Sequence, residues 1–466
     1  MPLRNELLPS PMVRAAVVAP DTRLRRVLVE VADLGVFEPD PPHGSDSGPI
    51  RTLVTQTVPS DTDITPSLSP DPVDAAALIA EGHLDLLLGE ATIERHSSSA
   101  VRVERCTVLP GWIPAEQIER LRTAIEPYGG SIAHLPGRRD LVPPTAHGGS
   151  ALGAAFRPLV TTYATVPYRD LDPTLFAAIA YMLMFGMMFG DVAHGLAIVG
   201  IGLAALIGSH DRLRRLRGVA PFLIGAGISA TAFGLLYGEA FGPTGLVPTL
   251  WMRPLDEPER LLIAGLVVGG VLLATTLVAG TVNRWRERGP TVAIYDASGL
   301  AGTLLLFGLA GVVIGAVTSN SWSRNVGLAV AIVGAILTFI GLIANSSSGP
   351  AGLAEAIVEL FDTLLRLGSN AVSFTRLAAF GLTHAVISQV VWDGTVSLWD
   401  RSGLITAVAA AALFSIGTLA AFALGALVAG IQALRLEYYE LFSRLFASQG
   451  RPFEPWHVPA HRMETS

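Results

Sequence analysis

From residue 171 onward the chain is a succession of apolar runs, each long enough to matter to a membrane. A helix of about twenty residues crosses the roughly 30 Å hydrocarbon core of a bilayer, and only a helix or a closed barrel satisfies its backbone polar groups there. The runs lie at 171–208, 218–241, 260–282, 292–318, 326–344, 371–399 and 403 to about 434. The first is nearly twice the length required. Arg169 precedes it, and Arg212, Arg214, Arg215 and Arg217 follow it. Arginine excess marks the cytoplasmic side. With both flanks inside, the run must cross twice, turning at 190–194. This predicts eight transmembrane helices. Arg284, Arg286 and Arg288 then also fall inside, and the loop 243–259, with one arginine and three acids, falls outside.

Only 15% of the chain is charged and 50% is hydrophobic, against roughly 25% charged in a soluble domain. The charge is concentrated before Asp172, so a soluble N-terminal domain should precede the membrane part. A net charge of −7 offers nothing to nucleic acid. All basic residues are arginine, so the choice of arginine over lysine at any one position carries little information. The single cysteine, Cys106, excludes an intramolecular disulfide. The N-terminus lacks the apolar core and cleavage site of a signal peptide. The expectation is a multi-pass protein of the cell membrane with both termini cytoplasmic.

Within the soluble part, 12–19 reads as a strand. A helix follows with Asp21 as its N-cap and Leu24, Val27, Leu28, Val31 and Leu34 at helical spacing, ending at Gly35. Residues 38–48 read as a loop, 50–58 as a strand, 75–93 as a helix weakened by Gly82 and Gly89, 100–109 as a strand, 114–126 as a helix and 131–135 as a last strand. The predicted organisation is a small α/β cytoplasmic docking domain (1–135), a Pro/Gly-rich linker (136–170) and an α-helical polytopic membrane domain (171–466). No phosphate loop, metal cluster or nucleophile with its base is legible, so no cofactor and no catalytic residue is expected. The chain has no nucleotide-binding motif, and any energy source must be another subunit or an ion gradient.

The segment 352–368 is amphipathic, with Glu355, Glu359, Asp362 and Arg366 among Leu, Ile and Phe. Joined to the run at 371–399 it makes a helix too long to stand upright. The final run has the same excess, reaching about 446. The last two helices should therefore be long and tilted. Arg376 lies in the first of them, with His384 two turns later and no acidic neighbour nearby on that helix. A charge at bilayer depth costs at least ~2.5–3.5 kcal/mol and usually has a use. Gln432 and Arg435 lie on the other long helix, with Glu437 and Glu440 beyond. Asp191 and His194 sit at the predicted hairpin turn and Glu239 near the end of the third helix. Asp191 and His194 at i, i+3 supply only two ligands, too few for a metal, and read as proton-exchanging groups. Asp296 lies near the inner end of the fifth helix. The pattern is two polar approaches separated by an arginine that cannot itself relay a proton, because its pKa exceeds ~12. An ion-coupled secondary transporter with Arg376 holding an anionic substrate is the alternative, though no internal repeat supports it.

Several stretches together resemble the membrane-embedded a/I subunit of the V-type (V/A-type) rotary ATPases. They are TYATVPYRDLDPT (162–174), FGMMFGDVAHG (185–195), FGLLYGEAFG (233–242), YDASGLAG (295–302), SFTRLAAFGLTHAVIS (373–388) and ALRLEYYELFSRLF (433–446), with GWIP (111–114) in the soluble part. The resemblance implies a non-catalytic stator beside a rotating proteolipid c/K ring, in a complex with a soluble ATPase head and central stalk. Peripheral-stalk subunits would bind the N-terminal domain. It implies that Arg376 is the essential arginine, Arg435 the second, and His384 the histidine that follows the first. Asp191, His194, Glu239, Asp296, Glu359, Glu437 and Glu440 become candidate half-channel groups, with Gln432 beside Arg435. Two departures stand out. Where some relatives carry a glutamate about ten residues before the second arginine, this chain has Gly425. Residues 35–73 lack the sustained heptads of a coiled-coil arm, which implies a reduced arm.

Overall fold

The computed structural model describes residues 9–41, 48–59, 64–137, 141–146, 151–208, 214–347, 349–445 and 450–460. These form two compact units.

The first unit comprises β1 (Met12–Pro20), α1 (Leu24–Leu34), β2 (Glu38–Pro39), α2 (Pro49–Thr57), α3 (Ala75–Glu81), α4 (Leu84–Ser98), β3 (Val101–Val103), β4 (Cys106–Pro114), α5 (Ile118–Ile125) and β5 (Ser131–His134). The sheet runs β2-β4-β1-β5 with β3 on β4, and every pairing is antiparallel. Helix α1 presses Val27, Leu28 and Val31 onto Ala15, Val17, Leu109 and Ile113 of the sheet. It ends at Gly35, whose φ of 60° is the left-handed conformation that glycine adopts without penalty.

Four local expectations are corrected. Residues 50–58 form a helix, α2, and not a strand. Pro49 opens it, and the Glu94 carboxylate accepts from the Ile50 and Arg51 amides at its N-terminus. None of its residues is buried, so it offers no inward face to a sheet. Asp21 does not cap α1; its carboxylate accepts instead from the Thr107 hydroxyl at 2.7 Å. The helix expected at 75–93 divides at Gly82, where φ is 78°. The strand expected at 100–109 is a hairpin turned at Glu104, a non-glycine residue at φ 54°.

Residues 450–460 return to this unit, although the sequence reading placed them with the membrane part. The Trp456 and Val458 amides donate to the Phe37 and Ala32 carbonyls at 2.9 and 3.1 Å, and both side chains join the core. Arg451 pairs with Glu38 at 2.7 Å.

The second unit is helical: α6 (Ala151–Thr161), α7 (Thr174–Met188), α8 (Val192–Ile207), α9 (Ala220–Tyr237), α10 (Pro258–Arg288), α11 (Pro290–Tyr295), α12 (Leu300–Val317), α13 (Ser321–Asn345), α14 (Pro350–Ser373), α15 (Thr375–Trp399) and α16 (Leu404–Leu436), then a π-helical turn at Glu437–Phe442 and α17 (Ser443–Leu445). Among the described residues, six stretches are long and apolar enough to cross a membrane: α9, α10, α11 with α12, α13, α14 with α15, and α16 through α17. The run at 171–208 is two shorter apolar helices, α7 and α8, of 15 and 16 residues. At 1.5 Å per residue each is about 23 Å long.

Glycines set the close approaches that matter to the site. A Cβ on Gly195 would stand 2.4 Å from the Thr231 hydroxyl, and one on Gly234 would stand 2.3 Å from the Val192 nitrogen. Only a residue without a side chain lets α8 and α9 meet there, as small residues do between membrane helices. Helices α14 and α15 form the long element expected near 352–399, interrupted at Phe374. The Phe374 ring fills a notch at Gly269 on α10, where a Cβ would lie 2.0 Å from the ring.

Candidate functional site

Two groups of polar residues meet along α15. The first gathers at the N-terminus of α8. Asp191 is its N-cap: Oδ1 accepts from the His194 amide at 2.9 Å. The tight loop after α9 wraps over this carboxylate. Gly238 (φ 72°), Phe241 (φ 54°) and Gly242 (φ 94°) all take left-handed conformations, and the Gly242 amide donates to Asp191 Oδ2 at 3.0 Å. Phe241 has a Cβ and still adopts this conformation, a local strain of the kind that gathers at functional sites. The Val192 amide donates to the Glu239 carbonyl at 2.9 Å, which ties the two chain segments together.

Across from Asp191 and His194, α15 contributes His384. The two imidazole centroids are 5.6 Å apart, and Phe189 lies 4.6 Å from His384 and 5.7 Å from His194. Asp191, His194, Glu239 and His384 are 0%, 2%, 6% and 5% exposed. This is deep burial for four polar side chains. Glu239 lies within Coulombic range of Asp191 and lines a cavity of about 160 Å³ with Tyr237, Arg253, Asp256 and Gln389. Gly425 on α16 explains how His384 reaches this place. A Cβ there would stand 2.7 Å from both His384 Nδ1 and Phe189 Cε2. The imidazole occupies the space that a side chain at 425 would need.

The second group surrounds Arg376 in the first turn of α15. Its Nη1 donates to the Ser373 hydroxyl at 2.6 Å, and that hydroxyl donates to Glu440 Oε1 at 2.5 Å. Arg376 and Glu440 are themselves 3.8 Å apart. With its amide nitrogen turned toward Glu440, Asn370 donates to Oε2 at 3.0 Å. The arginine therefore has an acidic partner, brought from the π-helical turn that follows α16. Its side chain remains 36% exposed. His384 is two turns further along the same helix, about 12 Å at 1.5 Å per residue.

The other sequence candidates are distributed around these groups. Glu437 is fully buried with no hydrogen bond to its carboxylate among the described residues, and it lies within Coulombic range of Tyr181. Gln432 is half-buried, and Arg435 is exposed on α16. Glu359 is exposed on α14. Asp296 is a turn residue: Oδ1 accepts from the Ser298 amide and hydroxyl at 2.8 and 2.6 Å, and its other oxygen lies 4.0 Å from Arg284. It joins neither group.

Sequence reasoning missed a third cluster. Arg284, which served only as a topology marker, is 2% exposed and donates to Glu287 at 3.3 Å. The neighbouring Asn283 is fully buried and accepts from the Leu171 amide at 3.0 Å. Asp170 is also fully buried, and among the described residues no N–H or hydroxyl reaches its carboxyl group. The Glu287 carboxyl faces it, an arrangement that holds when one of the two acids carries a proton. Burial, then Glu287, push the Asp170 carboxyl up to about 7, while Arg284 and Arg286 act in the opposite sense. The available signal was Asp170 inside a motif already singled out, with three arginines clustered at 284–288.

Residues 97–241, which include Asp170, Asp191, His194 and Glu239, match the V-type ATPase 116 kDa subunit family. Over that stretch the chain is similar to the family. The chain is also similar to the A-type ATP synthase subunit I of Pyrococcus horikoshii, 26% identical over 395 residues, covering 80% of this chain and 57% of the relative. The protein of the same name from Archaeoglobus fulgidus is 26% identical over 405 residues, covering 75% of this chain and 58% of its own. That from Aeropyrum pernix is 28% identical over 360 residues, with 66% and 50% covered. The chain thus spans little more than half the length of these relatives.

Proposed function

We propose that this chain is the membrane stator subunit of a rotary ATPase and carries protons between the two sides of the membrane against a rotating proteolipid ring. The observation that carries this reading is the placement of Arg376. It stands half-exposed at the helix break, with the buried Asp191–His194–His384 group along α15 on one side and the Ser373–Glu440 group on the other. A permanently charged guanidinium between two sets of proton-exchanging groups blocks a straight leak, because it does not give up its proton. It also forces a carboxyl on a passing partner to ionise.

In this reading the shorter helices α7 and α8 also cross, which makes eight crossings with both ends cytoplasmic. Glu239 and its cavity open to the outside and pass protons to Asp191, His194 and His384. Glu440 and Glu437 serve the inner side, with Arg435 and Gln432 toward the ring. Only 11% of the apolar window of the last long stretch is buried, which leaves its surface for lipid and the ring. Asp296 and Glu359 fall outside the relay. The sheet unit docks peripheral-stalk subunits, and ATP chemistry belongs to the soluble head. The relatives' name, ATP synthase subunit I, supports membership in such a complex.

The test is Arg376→Ala in the assembled complex, reconstituted into vesicles. ATP-driven proton uptake is expected to vanish while the subunits still co-purify. Retained uptake in a fully assembled variant refutes the reading.

A further inference from the structure

Asp191, His194 and His384 each present one ligand atom, and these atoms all lie within 4.8 Å of one another. The fold has supplied the third ligand that local spacing lacked. We propose that these three side chains form a binding site for one zinc-class divalent cation, reached through the cavity beside Glu239.

The donor set is two imidazoles and one carboxylate. This combination suits zinc, nickel or copper and not calcium or magnesium, which take six or more oxygens. Three protein ligands with one position left for water is a common zinc arrangement. Asp191 is already oriented. Its oxygens accept the His194 and Gly242 amides, and each keeps a lone pair free. Neither ring nitrogen of His384 makes a hydrogen bond among the described residues, and His194 keeps one ring nitrogen free beside the one that faces Thr418. A buried polar group left unpaired costs about 1–3 kcal/mol, and a bound cation removes that cost. The Thr418 carbonyl faces His194, the kind of acceptor that steadies the second nitrogen of a ligating histidine. Ser388, one turn beyond His384, holds a buried hydroxyl with no hydrogen-bond partner among the described residues, available to a water in the fourth position. Around a tetrahedral ion the donors would sit roughly 3.3 Å apart, within reach of modest side-chain rotation.

Binding is independent of the translocation reading. The consequence for transport rests on it: an ion at this place occupies the outer proton route. The purified full-length chain in detergent is titrated with Co²⁺, read by its tetrahedral visible absorption, and then with Zn²⁺ as competitor. One metal per chain is expected. His384→Ala should weaken binding by about tenfold or more, and His384→Cys should restore it with a shift toward Cd²⁺. Absence of saturable binding overturns the proposal. So does unchanged affinity in His384→Ala, which would place the metal elsewhere. Failure of His384→Cys to bind in a variant that melts like the parent overturns it as well. In the assembled complex, Zn²⁺ should stop ATP-driven proton uptake over the concentration range that fills the site. Binding without inhibition leaves the metal site standing and removes the proton route through it.

Discussion

Replacing Gly425 with alanine tests the packing that places His384. The added Cβ would stand 2.7 Å from His384 Nδ1, 2.7 Å from Phe189 Cε2 and 3.1 Å from His384 Cε1. Comfortable contacts of this kind are about 3.5–4.0 Å, so the misfit is roughly 0.8 Å in two directions at once. Neither ring has room to yield. Phe189 is fully buried against Phe185, Phe422 and His194, and His384 is 5% exposed. Relief requires α15 and α16 to part, at a cost of about 1–3 kcal/mol. Alanine also gains up to about 1 kcal/mol of helix propensity over glycine. That gain is isolated by Gly368→Ala on α14, where a Cβ meets nothing within 4 Å. The quantity of interest is the difference between the two variants, about 1–3 kcal/mol. At about 2 °C per kcal/mol for a large chain, Gly425→Ala should melt roughly 2–6 °C below Gly368→Ala. The assay is thermal unfolding of the two purified proteins in the same detergent at one scan rate. Equal melting temperatures would refute the reasoning, since His384 would then not be held by the absence of a side chain at 425.

Three further outcomes are expected. Asp170 holds its proton up to about pH 7 in the folded chain and only to its ordinary value of 3.8 when unfolded. The folded state therefore binds more protons between these values, and its contribution to stability falls as pH rises from about 4 to about 7. Asp170→Asn should flatten that decline in melting temperature, and an unaltered profile would count against the Asp170–Glu287 pair. His96 has the opposite sign: burial holds its imidazole down to about 4, against an ordinary 6.5, where it lies 4.4 Å from Trp456. Its contribution is complete above about pH 6.5 and is lost as pH falls toward 4, so His96→Phe should remove an acid-side loss in melting temperature that the parent shows. Ser373→Ala takes away the hydroxyl that joins Arg376 to Glu440. Bonds to charged groups are worth about 1.5–3 kcal/mol when enclosed, and solvent at the half-exposed arginine reduces this to about 1 kcal/mol. Proton uptake should fall about fivefold without vanishing, and an unchanged rate would show that the hydroxyl does not position the arginine.

The long apolar helices, the sheet strands at 12–19 and 131–135 and the close of α1 at Gly35 were legible because each depends on local chemistry. Hydropathy over some twenty residues decides whether a backbone is satisfied in lipid, and a glycine after a helical repeat decides where it stops. The motif around Asp191 likewise pointed to the V-type ATPase 116 kDa subunit family, whose similarity spans residues 97–241. What one polar group meets is not local. His384 lies almost two hundred residues from Asp191, and they share a site because Gly195 and Gly234 let α8 and α9 close up while Gly425 leaves room for the imidazole. Glu440 reaches Arg376 only through a π-helical turn that no hydrophobic repeat reveals. Arg284 carries the same charge as its exposed neighbours, yet its burial against Glu287 comes from the way α10 packs. Residues 50–58, rich in β-branched residues, read as a strand, yet Pro49–Thr57 fold as a helix whose first amides meet the Glu94 carboxylate. Local hydropathy decided which segments are helices long and apolar enough to cross a membrane. Packing, through a few glycine notches and distant carboxylates, decided which of the embedded charges stand together.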